Sequence, residues 1–478
     1  MMSVREMGRL EAVIGRLGAV IAFGIVLLGA HSAIAQWHSH DSRMYFDYGD
    51  PMMTSVIQSA DGHAADVRLT TANSMFSFVR TANSAKGQYY AIRDVTIEVV
   101  EKGEAQPVIT RNVVDTLYAK TFDESISKTS WHARNEHLAL PMLDSNKSYS
   151  VRIEIRDDID RMTLHAAPFE LRPTTFANVN TRNGIAIGDI ALADDMSNGV
   201  ATTSGQGNSY MFSHDIEGSV SFKLAPVLHS DPMVDISVRQ LTNLVNPSDT
   251  GERYRGALDA SDLRPNAAYE YSSADSVLRY KLVPTNDSGV WTALFNVPGQ
   301  TFEQGKYTIT VRVRAGSVEQ SQTNDVELVW QGMPLSLEDP TDAIEPLGVI
   351  APPETVQAMS SGSKQDMTRK LYAYWKTLDP TPGTAYNERM ATFYQRVDYA
   401  DFNFANGRML NGAMTDRGKV YLLYGPPTKV ERSFLPGEAP TETWTYNNNV
   451  GRTFCFEARN SPGNYELTDI KELSVAEK

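Results

Sequence analysis

Cysteine is almost missing from this chain: Cys455 stands alone among 478 residues. A single thiol closes no internal disulfide, so burial of apolar side chains must hold the fold together. Histidine is absent where Cys455 would need it. The nine histidines are His31, His38, His40, His63, His132, His137, His165, His214 and His229. None is near Cys455 in sequence to activate it, and in Phe454-Cys455-Phe456 it reads as a small, buried apolar residue of a strand. Positive charge is short as well. Lys and Arg number 44 against 58 Asp and Glu, for a net charge of −14. That balance argues against a nucleic-acid partner and against an anionic membrane surface, since both demand clustered Lys and Arg. There is no His-Glu-x-x-His, no P-loop and no Gly-x-Ser-x-Gly elbow. His132 and His137, beside Glu136, and the Asp157, Asp158, Asp160 cluster read as solvated polar residues rather than metal ligands. We therefore assign no catalytic, cofactor or metal site from sequence.

The N-terminal apolar run, Leu17–Ala30, is too short for a comfortable membrane span. Arg5, Arg9 and Arg16 precede it, and Ala33-Ile34-Ala35 follows it before Gln36. This is the pattern of a cleaved secretory signal over residues 1–35. No cysteine follows the signal to carry a lipid. The expected product is an exported chain of net charge −15 with no transmembrane segment after cleavage, in the periplasm, at the outer membrane or outside the cell.

Strict alternation of apolar and polar residues then dominates. Val95-Thr-Ile97-Glu-Val99 and Tyr149-Ser-Val151-Arg-Ile153-Glu-Ile155 each read as a strand with one wet and one buried face. Tyr307-Thr-Ile309-Thr-Val311-Arg-Val313-Arg314 matches the Tyr149 strand position by position. Each is preceded by an apolar stretch ending in proline and followed by a short strand, Phe169–Leu171 or Val326–Leu328. A tyrosine that opens a late strand is also how the tyrosine corner of Ig-like sandwiches begins. The expectation is two related antiparallel β-sandwich domains, 36–175 and 176–332.

Residues 333–363 hold five prolines by Pro353, among acidic and small residues, and read as a semi-stiff linker without a core. The region 364–478 reads as an α+β layer. Met367, Leu371, Tyr374 and Trp375 recur at helical spacing, and that helix must end near Asp379-Pro380. Thr384 is the expected N-cap of a second helix whose stripe is Met390, Phe393, Tyr394, Val397, Ala400 and Phe404, with Gly407 as its stop. A turn at Thr415-Asp416-Arg417-Gly418 is expected to feed a buried strand Lys419–Tyr424, which stops at Gly425-Pro426-Pro427. Further strands are expected at Thr441–Tyr446, Arg452–Glu457 and Asn464–Thr468.

The order of Asp379-Pro-Thr-Pro-Gly-Thr384, Asn387-Glu388, Thr415-Asp416-Arg417-Gly418, Tyr424-Gly425-Pro426 and Trp444-Thr-Tyr446 resembles the GWxTD-domain family of bacterial proteins. The tryptophan that gives that family its name is Ala413 here. The resemblance implies a domain without an assigned reaction. Asp416 is expected to accept N–H groups of its own turn, and Arg417 to fork onto a carboxylate or carbonyls nearby. Trp444 and Tyr446 are expected in the core. The resulting expectation is a non-catalytic cell-envelope protein that acts as a structural or interaction module on envelope partners. An enzyme pairing Asp416 with Asp379 or Glu388 is the alternative. A sugar- or peptide-binding platform of Tyr89, Tyr90, Trp291 and Tyr271 is another. The fragment Val356–Lys478 is expected to fold alone.

Overall fold

The computed structural model describes residues 52–472, except 59–63, 82–84, 128–129, 141–142, 145–146, 172–183, 194, 198–199, 204–208, 275–276, 287–288, 331, 407–410, 448–450 and 460–462. The signal segment and Gly407 therefore lie outside the described residues. Two β-sandwiches and a helix-plus-sheet region follow one another, as the alternation predicts.

The first sandwich is built from seven principal strands. Met52–Gln58, Ala64–Ala72 and Trp131–Ala139 form one antiparallel sheet in that order. In the facing sheet Pro107–Ala119 pairs with Tyr89–Glu101, which pairs with Tyr149–Asp157, which pairs with Phe169–Leu171. Val95, Ile97, Val99, Val151, Ile153 and Ile155 point inward from the second sheet. They meet Val67 and Leu69 from the first in one core.

The second sandwich repeats this strand order. Ile185–Ala193, Ile216–Leu224 and Val290–Val297 make one sheet. Gly251–Ala257, Met233–Gln240, Gly305–Ala315 and Val318–Val329 make the other. Counted along each chain segment, strands one, two and five face strands four, three, six and seven. Both sixth strands carry the expected tyrosine corner. The Tyr307 hydroxyl donates to the Glu303 carbonyl at 2.7 Å, and the Tyr149 hydroxyl accepts from the Asp144 amide at 3.2 Å. Each bond ties a strand to the loop before it, worth about 1 kcal/mol. Asp189 joins the sandwiches by accepting from the Gln58 amide at 3.0 Å and from Gln322 Nε2 at 2.8 Å.

Residues 333–363 depart from the linker expectation. They form a 3-10 turn Leu335–Leu337, helix α1 (Pro340–Ile344), a 3-10 turn Glu345–Val349 and helix α2 (Pro353–Met359). Leu337, Ala343, Ile344, Leu347 and Met359 are buried. The prolines that suggested a linker instead begin helices. Pro340 and Pro353 occupy first positions and Pro346 a second, where a missing N–H costs nothing.

Helix α3 (Lys364–Lys376) starts at the Ser363–Asp366 capping box and stops before Asp379-Pro380, as expected. Helix α4 (Glu388–Phe404) carries the expected buried stripe. Its cap is Asn387 rather than Thr384. Asn387 Oδ1 accepts from the Met390 amide at 2.9 Å, and its Nδ2 donates to the Trp375 carbonyl at 2.8 Å. Thr384 instead bonds the Thr381 and Tyr386 carbonyls inside the preceding loop.

The largest correction concerns the expected strand Lys419–Tyr424, which is helix α5 (Asp416–Tyr424). The meander that follows has four strands, Lys429–Ser433, Thr441–Tyr446, Arg452–Ala458 and Tyr465–Glu472, of which the first went unpredicted. Trp444, Tyr446, Phe454 and Phe456 face the helices and are buried, while Cys455, expected inside, is half-buried on the other face.

Candidate functional site

The segment Asn411–Gly418 sits where α4, α5 and the sheet meet. Gly412 and Gly418 are there because nothing larger fits. A Cβ on Gly412 would stand 2.1 Å from the Ala400 carbonyl oxygen of α4, and one on Gly418 2.1 Å from the Gly412 oxygen. Three backbones thus touch directly. Thr415 caps α5 with one hydroxyl that accepts from the Gly418 amide at 3.0 Å and donates to the Gly412 carbonyl at 2.7 Å. Ala413, at the position of the family's tryptophan, is fully buried, and its amide donates to Asp401 Oδ1 at 2.7 Å. Burial pushes the Asp401 carboxyl above the usual carboxylate range, against the pull of that bond.

Asp416 does not close its own turn. Its Oδ2 accepts from the Leu467 amide at 2.8 Å, so α5 is bolted to the last strand. Arg417 forks as expected, with Nη1 on Glu442 Oε2 and Nη2 on the Gly463 carbonyl, both at 3.4 Å. The guanidinium lies between two rings, 4.3 Å from the Tyr465 centroid and 5.1 Å from that of Phe404. Its side chain is 11% exposed and that of Glu442 is 3% exposed. Burial pulls Arg417 down, opposed by Glu442.

Glu442 is the residue that sequence reasoning missed. Its two oxygens also take Trp444 Nε1 at 2.6 Å and Arg432 Nε at 3.2 Å. The signal was present, because Glu442, Trp444 and Tyr446 share one face at period two. Tyr424 packs on Phe454 and Tyr446, with centroids 5.2 and 5.8 Å apart. Gly425, at φ 75°, ends α5, and its carbonyl accepts from the Tyr446 hydroxyl at 2.8 Å. Pro426 is exposed beyond it.

Asp379 belongs to another neighbourhood. Its Oδ1 accepts from the Thr381 amide at 2.9 Å, and the Thr381 hydroxyl donates to Glu388 Oε2 at 2.6 Å. The structure thus groups Asp379 with Glu388, and Asp416 with Leu467. An open groove of about 620 Å³ lies between the end of α3 and α4, with Ile350, Leu378, Phe393 and Leu423 among its apolar walls. Among the described residues no cluster of three His, Cys, Asp or Glu is placed to hold a metal. His137 Nδ1 instead meets Asp66 at 2.7 Å, and Asp157 and Asp160 accept bonds within their own loop and from Ser77. Among the described residues the platform aromatics do not share a face. Tyr89 and Tyr90 are consecutive on one sandwich, Trp291 is on the other, and the Tyr271 side chain lies outside the described residues.

Comparison with known families decides what this signature is. Residues 313–476 match the model of the GWxTD domain. The GWxTD region thus begins inside the sixth strand of the second sandwich and includes residues 333–363. No curated protein sequence matches the chain. Three solved structures give faint likenesses. The macrocyclization catalyst AvmM of alchivemycin A biosynthesis is 9% identical over 31% of this chain and 89% of its own, at a TM-score of 0.17. The Yersinia pseudotuberculosis adhesin InvE is 12% identical over 90% of this chain and 100% of its own, at 0.16. The ICAM-5 D1–D4 ectodomain fragment is 12% identical over 59% and 54%, at 0.13. Scores this low carry no argument about topology or role.

Proposed function

We propose that this is an exported cell-envelope protein that works without a reactive centre, as a structural and protein-interaction module. One observation supports this above the others. The polar side chains of the GWxTD signature are occupied in holding the domain together: Thr415 on its own helix, Asp416 on Leu467, and Arg417 on Glu442 and Gly463. A catalytic acid or base keeps a reacting face for substrate, and these groups face protein. The carboxylate-pair reading loses its support for the same reason, because Asp416 and the Asp379–Glu388 neighbourhood bond to different elements. Among the described residues no helix is long and apolar enough to cross a membrane. Envelope location rests on the Arg5–Ala35 pattern alone.

The test uses the full-length precursor expressed in a bacterial host. The exported product should begin at Gln36 and fractionate with the envelope. Arg417→Ala should unfold at a lower temperature, with a loss of about 2 kcal/mol, because it removes a charge-assisted bond from buried Glu442, which keeps Trp444 and Arg432, and empties the space between the Tyr465 and Phe404 rings. A product that stays uncleaved in the cytosol would refute the location. An unchanged unfolding midpoint in Arg417→Ala would refute the structural role of the signature.

A further inference from the structure

We propose that the groove between α3 and α4 binds a long-chain carboxylate, its acyl tail on the apolar wall and its carboxylate on Arg389. This goes beyond the structural role of the signature and fails separately from it. At about 620 Å³ the groove has the size of small-molecule sites, which run from about 300 to 1,000 Å³. Ile350 and Leu423 are large apolar side chains left exposed at its edge. Arg389, Thr392 and Tyr374 stand at the same groove, and their side chains make no hydrogen bond or ion pair among the described residues. Arg396, two turns further along α4, spends Nη1 on the Leu422 and Leu423 carbonyls and leaves the rest of its fork unspent. The groove's one carboxylate, Glu388, is held by the Thr381 hydroxyl. Two arginines against one engaged glutamate make this groove positive on a chain of net charge −14.

The walls also say what kind of anion fits. Amides and carbonyls inside α3 and α4 are spent within the helices. The carbonyls of Tyr374 and Trp375 at the end of α3 accept from Thr377, Leu378 and Asn387. An extended peptide would find no backbone ladder here. Eleven residues line the groove, whereas a standard protein interface engages about 20–30 on each side. A single apolar chain with one anionic head asks only for the apolar wall and one guanidinium.

Displacement of cis-parinaric acid fluorescence by palmitate tests this on the full chain. Palmitate should displace the probe saturably. Arg389→Ala should weaken binding about tenfold, the loss of one charge-assisted hydrogen bond, and Arg389→Lys should recover part of it. Thr392→Trp should block the groove. Both sites are exposed, so unfolding midpoints should stay at the wild-type value. Hexadecanol, which has the tail without the charge, should bind about tenfold more weakly than palmitate. The proposal is overturned if palmitate fails to displace the probe, if Arg389→Ala binds palmitate as wild type does, or if hexadecanol equals palmitate. It is equally overturned if phosphatidylglycerol vesicles or an acidic amphipathic peptide bind at the groove while palmitate does not.

Discussion

Gly412 and Gly418 explain why the GWxTD signature is legible as a string. Each marks a point where one backbone rests on another, and a single methyl group is already too much. Gly418→Ala would put a carbon 2.1 Å from the Gly412 oxygen and 2.6 Å from the Ala413 oxygen, both backbone atoms. We expect a loss of about 3 kcal/mol or more, since overpacking against backbone has no flexible side chain to give way. A chemical-denaturation curve with an unchanged midpoint would show that the close approach is not needed. Ala413 fits the same frame. It is fully buried among these backbones, so the tryptophan site of the family is here an interior position, not a contact surface. Sequence alone could not supply the partner of Asp416. The acceptor role was readable from its type, but the donor, Leu467, lies 51 residues away on the last strand.

Strands and helices differed in how much they disclosed. Period-two alternation located the strands Tyr89–Glu101, Tyr149–Asp157 and Gly305–Ala315, and the match of Tyr149 with Tyr307 pointed to the repeat. Most other sandwich strands carry no such plain alternation, and apart from Phe169–Leu171 and Val326–Leu328 they went unnamed. The run Lys419–Tyr424 misled because Val, Tyr and Leu in a short apolar stretch suit a strand or a buried helix equally. Thr415 followed by Asp416 was the deciding cue, a cap and a first-turn acid at a helix N-terminus. The strand Trp131–Ala139 carries a pH signature of its own. His137 is raised by its hydrogen bond to Asp66 against the burial that lowers it, so it holds its proton more tightly folded than unfolded. Its contribution is complete below about pH 6.5 and fades as pH rises through the raised value. His132 is lowered, by burial first and by Arg93 second, so folding sheds its proton. Its contribution is complete above about pH 6.5 and fades as pH falls. Urea midpoints at pH 5.5 and 8 should separate the two. His137→Gln should cost stability mainly at pH 5.5, and His132→Gln should be relatively favoured there. The reverse ordering would contradict both assignments.

The molecule as a whole does not divide where its prolines suggested. One continuous core runs from Ile185 in the second sandwich through Leu337, Ile344 and Leu347 to Phe456 in the last sheet. Phe212, Trp330 and Tyr386 pack together at the junction, with centroids 5.3 to 5.9 Å apart. There the Ala385 amide donates to the Gln300 carbonyl at 2.8 Å and the Tyr386 amide to Ser213 Oγ at 3.1 Å. A fragment starting at Val356 discards Leu337, Ala343, Ile344 and Leu347, each at most 4% exposed. It should therefore give a broad, non-cooperative thermal transition, whereas Gly184–Lys478 should unfold cooperatively. A sharp two-state melt of the shorter piece would restore the division at 363.

That shared interior has a mechanical consequence. A joint that swivels needs a boundary across which few side chains interlock, and among the described residues the core runs unbroken from the second sandwich into the helices and the last sheet. The two must turn together, like a blade fixed to its handle. A rotation imposed on the sandwich end therefore reaches the far sheet undiminished.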